Sequence, residues 1–146
     1  MIEETYPYVP IKDTLFFGFI SEGINGDIFK IVMFTPIKKG KWNLGFGDWQ
    51  NDDVDDKVMT NNHDVVKVIG TVAKITYDFF KKYPNAVVVI KPVDEKRKKL
   101  YNIVFQRHYK TLISDFQILA IKEGHRKAIY SPKKMYDNFE LSLKYK

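Results

Sequence analysis

Apolar residues recur at three- and four-residue steps along one stretch of the chain: Val65, Val68, Ile69, Val72, Ile75, Phe79, Phe80 and Tyr83. That spacing is the buried stripe of a single long helix. The spacing predicts its start at Asn61 or Asn62, where Asp64 suits both a capping arrangement and the positive end of the helix dipole. Lys81, Lys82 and Pro84 supply the stop. Before this helix the period is two rather than 3.6. Residues 14–20 and 28–34 read as strands joined by Asn25-Gly26, a pair that tolerates positive φ, and the second strand ends near Pro36. Lys39-Gly40-Lys41 then turns the chain into a third strand over 42–46, with Trp42, Leu44 and Phe46 on one face.

Beyond the helix, residues 86–90 form a continuous β-branched run, the pattern of a strand covered on both faces. A second helix is expected over 95–112, with Leu100, Tyr101, Val104, His108 and Leu112 as its stripe. Residues 116–121 and 127–130 read as a closing strand pair turned by Glu123-Gly124, and the tail over 133–146 holds a short helix or strand. The order βββ-α-β-α-ββ predicts an α+β fold, a mostly antiparallel sheet with two helices packed on one face. The 146 residues fit one domain over 1–146.

Composition narrows the class. With 45% hydrophobic and 15% aromatic residues the chain has ample material for a core. It contains no cysteine, so disulfides and thiolate metal sites are excluded and a reducing, cytoplasmic setting is expected. The first residues show neither a basic nor an apolar signal region, and no apolar run approaches the roughly 18 residues that span a bilayer. No membrane partner is expected. The net charge is +6, and its distribution says more than its size: residues 47–64 are acidic and 91–110 basic, which predicts two faces of opposite sign.

The basic stretch carries the main chemical candidate. Asp94-Glu95-Lys96-Arg97-Lys98-Lys99 places four cations in the first turns of the second helix, where the dipole already presents positive charge. Each such cation costs about 0.3–1 kcal/mol when exposed. An anion docked there would offset that cost, with Lys91, Arg97, Lys99, Tyr101 and Arg107 as its candidate contacts. The alternative is a solvated helix face screened by salt. Tyr101, Arg107, His108, Tyr109 and Lys110 interleave aromatic and basic groups, a combination that suits single-stranded nucleic acid.

The acidic loop with Asp48, Asp52, Asp53, Asp55 and Asp56 does not match a calcium-loop spacing, and its first reading is a solvated surface. His63, His108 and His125 fit no zinc spacing, and no serine sits in a nucleophile elbow. No phosphate-binding glycine fingerprint is present. A catalytic reading therefore has no anchor, and no cofactor is expected.

Several of these residues also carry a family likeness. Gly47-Asp48, Asp55-Asp56, Asn61-Asn62 with Asp64, Lys67-Val68, Thr71-Val72, Phe79 and Tyr83-Pro84 form its signature, followed by Arg97-Lys98-Lys99-Leu100-Tyr101. On these the chain resembles, from about residue 8 to 120, a small bacterial domain family of uncharacterised function found in phage-related and mobile-element neighbourhoods. Three features depart from the family pattern. His63 and Lys99 stand where the family has a glycine and a second arginine, and Pro92-Val93-Asp94 replaces a small glycine-containing turn. The resemblance implies the fold and the candidates Asp55, Asp56, Asn61, Asn62 and Asp64, but no reaction.

Three functions follow in order. The first is a non-catalytic module binding an anionic partner, nucleic acid above all. The second is a protein-interaction component, a homodimer or a member of a toxin–antitoxin or defence pair. The third is an enzyme on a phosphate-bearing substrate, with a metal on Asp55 or Asp56 near Arg97.

Overall fold

The structure, a computed structural model, describes residues 4–12, 15–50, 53–55 and 64–145. Among them the chain is α+β, with strands β1 (Tyr8–Lys12), β2 (Phe16–Gly23), β3 (Gly26–Lys38), β4 (Lys41–Gln50) and β5 (Asp53–Asp55), then helix α1 (Val65–Lys82) and β6 (Val87–Ile90). Helices α2 (Glu95–Arg107) and α3 (Tyr109–Asp115) precede β7 (Phe116–Ile121), β8 (Ala128–Ile129) and β9 (Asn138–Leu143). Pairing is mostly antiparallel, as expected, and β4 with β6 is parallel. The expected order is met only roughly. Three helices replace two, because the stretch over 95–112 breaks at His108 (φ −104°, ψ 17°) into α2 and α3. The chain gathers into two compact units, residues 2–35 with 45–82 and residues 36–44 with 83–146.

In the first unit the strand order is β1-β2-β3-β4, with β5 on β4. The β2–β3 register runs from Phe16↔Met33 to Gly23↔Gly26, so Ile24 and Asn25 form the hairpin tip. The expected tip is shifted by one residue because positive φ is needed just past it, and Gly26 supplies it at 86°. Alternation sends Phe17, Phe19 and Ser21 of β2, and Lys30, Val32 and Phe34 of β3, into the interior. α1 packs there: the Phe79 ring stacks on Phe34 at 4.1 Å, and Val68, Thr71 and Ile75 are buried. Each fully buried large apolar side chain contributes about 1.5–3 kcal/mol. α1 begins at Val65, directly after the non-helical Asp64, whose carbonyl accepts from Val68 N at 2.9 Å; the expected start at Asn61 or Asn62 lies outside the described residues.

In the second unit the order is β4-β6-β9-β7-β8. The start of β4 pairs with β6 (Trp42↔Val88), and Val87 N donates to Gly40 O at 2.8 Å. β6 is buried as its composition demands. The tail strand β9 lies between β6 and β7, pairing Leu141 with both Val88 and Ile118. The expected closing pair shrinks accordingly, with only Leu119↔Ile129 and Ala120↔Ala128 paired between β7 and β8. Phe105 of α2 stacks on Phe139 of β9 at 4.2 Å and anchors the helix to the sheet.

Candidate functional site

α2 starts where the sequence places it, and Asp94 is the reason. Its extended backbone (φ −154°, ψ 171°) sets the N-cap, and its Oδ1 accepts from Arg97 N at 2.8 Å. Oδ2 of the same carboxylate accepts from Arg97 NH1 at 2.7 Å. The Arg97 backbone N–H, with the guanidinium beside it, holds the Asp94 carboxyl below the usual range. One internal carboxylate thus occupies the helix start. Arg97 itself is buried, 3% exposed, and among the described residues its Nε and NH2 have no hydrogen-bond partner.

A 100° step per residue separates the remaining cations. Arg97 and the half-buried Tyr101 point inward with Asn102 and Phe105, while Lys96, Lys99 and Arg107 lie on the opposite, exposed face. Lys98 pairs with Asp137 at 2.5 Å, which lowers the Asp137 carboxyl and raises the lysine. Lys91 is exposed just past β6. Among the described residues, Lys91, Lys96, Lys99 and Arg107 have no carboxylate at ion-pair distance. The structure therefore splits the five anion candidates: Arg97 and Tyr101 inside, Lys91, Lys99 and Arg107 outside.

Charge divides the same way at larger scale. The second unit holds 17 lysines and arginines against six acidic residues, a surplus of +11, whereas the first holds seven against twelve, −5. In the basic unit, Glu140 bridges Lys127 and Lys41 at 2.8 and 3.5 Å. Burial pushes the Glu140 carboxyl up, but the two lysines outweigh it and hold it low. Acidic residues there neutralise only a few of the cations.

The acidic candidates belong to the other unit. Asp48 is buried against Lys30 at 2.6 Å, with the Phe46 ring 5.6 Å from the ammonium. Asp55 ends β5, opposite Asp48 in the register. Asp64 accepts the Tyr6 hydroxyl at 2.6 Å and the Ser21 hydroxyl at 2.5 Å, while Tyr6 N donates to Thr71 Oγ1 at 2.7 Å. Burial first, then Asp64, raises the Tyr6 phenol. These contacts tie the start of α1 to β2 and to Tyr6, two residues before β1, a holding role. Asp56, Asn61 and Asn62 lie outside the described residues. Among the described residues no three His, Asp or Glu side chains gather as a metal site, and no helix is long and apolar enough to cross a membrane.

The sequence reading did not single out Lys30. Lys30 did leave a signal: it falls in step with the apolar Ile28, Val32 and Phe34 on the inward face of a strand, where a charge needs a buried partner.

A family model matches residues 2–144, and its description is Family of unknown function (DUF6934). The chain belongs to that family. No curated protein and no solved structure matches it.

Proposed function

We propose that the chain is a non-catalytic binding module that engages nucleic acid through its basic unit, in the reducing cytoplasmic setting that suits a cysteine-free protein. The observation that carries this reading is the segregation of charge, +11 against −5, together with the exposed face of α2, where Glu95 is the one acid beside Lys96, Lys99 and Arg107. Lys96, Lys99 and Arg107, with Lys91 after β6, are the phosphate contacts. Phosphate binding by such side chains releases counterions, so affinity depends on salt and little on sequence. Arg97 acts from within, fixing Asp94 so that the helix start is capped without a ligand.

The test is a salt titration with labelled oligonucleotides. The logarithm of the binding constant should fall linearly with the logarithm of salt concentration. Lys99→Glu and Lys96→Glu should weaken binding across all sequences, and a neutral replacement should reduce the salt slope by about one per lost contact. No binding at low salt, or binding indifferent to both reversals, would sink the proposal.

A further inference from the structure

Exposed apolar side chains gather on the sheet of the first unit, on the face opposite α1. Val9 and Ile11 of β1, Ile20 of β2 and Phe29 of β3 alternate with the inward residues of their strands, and each is 39–60% exposed. Ile20 and Phe29 are cross-strand partners. Gly18 keeps this face flat: a Cβ there would meet the Phe29 ring at 2.8 Å and Ile11 Cδ1 at 3.0 Å, so those two side chains close over the glycine. A contiguous apolar surface of this kind marks an interaction site. The edge of the same sheet is a poor one. β1 is its last strand, Pro10 brings no N–H, and the register slips beyond it, so an added strand would meet no regular ladder.

Charge identifies the occupant. Glu22 and Asp27 stand directly opposite each other at the hairpin end of the face, next to Ile20 and Phe29, and both are exposed. Like charges in that position repel. Among the described residues neither carboxylate has a cation at ion-pair distance. Two such faces laid together would bring four acids into one interface, a like-charge cost that disfavours the symmetric pairing. The fitting partner has an apolar centre with cations beside it.

The outer face of α2 has that form. Lys96, Lys99, Ile103 and Arg107 follow one another at helical spacing, so an exposed isoleucine lies among three cations, with Glu95 at the helix start. The exposed Met135 adjoins the same helix, its Sδ 3.7 Å from Gln106 Nε2. We infer that the sheet face of one copy docks on the α2 face of a second copy, Ile20 and Phe29 against Ile103 and Met135, with Glu22 and Asp27 against the cations. The contact joins two different surfaces, so it repeats from copy to copy or closes on itself as a ring. This goes beyond the nucleic-acid reading and does not need it; one helix face would serve both occupants in turn.

Size exclusion with light scattering at low salt tests it. The parent should exceed the 17.2 kDa of one chain, by a margin that grows with concentration. Ile20→Lys places a cation in the sheet face, and Ile103→Lys replaces the apolar centre of the helix face; both positions are exposed, where substitution costs the fold little. Each variant alone should run as a single chain. Mixed in equal amounts they should form a complex of two chains and nothing larger, because the intact helix face of the first meets the intact sheet face of the second while the two altered faces repel. A parent that stays a single chain up to near-millimolar concentration overturns the proposal. Association that survives Ile103→Lys overturns it too, since the sheet faces would then be pairing with each other. So does a failure to recover on mixing when both variants keep the parent's thermal midpoint. Loss of nucleic-acid binding in the parent would sink only the earlier reading and leave this one standing.

Discussion

Lys30 and Asp48 form an ion pair with side chains 2% and 1% exposed, and removing two charges from water costs several kcal/mol per ion before their attraction returns any of it. Such a pair contributes little net stability while it is intact. Half of it is a liability. Asp48→Asn should leave the ammonium buried without a counter-charge and destabilise the protein by about 3–5 kcal/mol in urea unfolding. Replacing both partners, Lys30→Met with Asp48→Leu, should be close to neutral or mildly stabilising by the same measurement. Strong coupling between the two positions is the signature sought, and additive losses would show that the pair is not the unit of interaction. The burial of Asp48 gives it a packing role without any appeal to catalysis.

At the level of elements, one buried amide ties α2 to the segment that leads into β9. Asn102 is fully buried; its Nδ2 donates to Tyr136 O at 2.9 Å and to Lys98 O at 2.8 Å, while its Oδ1 accepts from Tyr136 N at 2.8 Å. Asn102→Ala strands both backbone groups of Tyr136, so a loss of about 2–6 kcal/mol is expected in thermal or denaturant unfolding, at about 1–3 kcal/mol per unmet group. Asn102→Asp should be no milder, because a carboxylate cannot donate to the Tyr136 carbonyl.

Legibility in the sequence varied with the kind of signal each element carries. α1 was plain because its apolar residues keep a helical period, and β6 because a β-branched run has few other uses. β1 was hidden: Tyr8-Val9-Pro10-Ile11-Lys12 contains a proline, and its register slips between Pro10 and Lys12, so no clean alternation survives. β9 was seen only as an undefined tail, since its place between β6 and β7 depends on partners far off in sequence. The break at His108 leaves the apolar stripe intact and so left no trace in the pattern. Of the candidate site, the basic helix start was legible as composition. Arg97's inward position was not, because a charged residue in a polar run gives no hint that its neighbour Asp94 will cover it.

For the whole molecule, a unit that carries +11 after its six carboxylates are counted repels itself, and three of them, Asp94, Asp137 and Glu140, are committed to Arg97, Lys98, Lys41 and Lys127. Screening length shortens from about 10 Å at 0.1 M salt to about 3 Å at 1 M. The repulsion acts between many exposed cations at longer range, whereas the ion pairs lie at 2.5–3.5 Å and are partly sheltered. Salt should therefore weaken the unfavourable term more than the favourable one. The thermal midpoint should rise as sodium chloride is increased from about 0.1 M to about 1 M. A falling midpoint would mean that the ion pairs outweigh the surplus and that the cations are not mutually strained. A nucleic acid that binds the folded chain should raise the midpoint at low salt by mass action, worth about 2.7 kcal/mol at a hundred times its Kd. The two effects oppose each other when combined, because salt that relieves the repulsion also removes the counterion-release gain on binding. Adding salt to the complex should first cost it the ligand's contribution, and only beyond that concentration should the midpoint of bound and unbound samples converge and climb together.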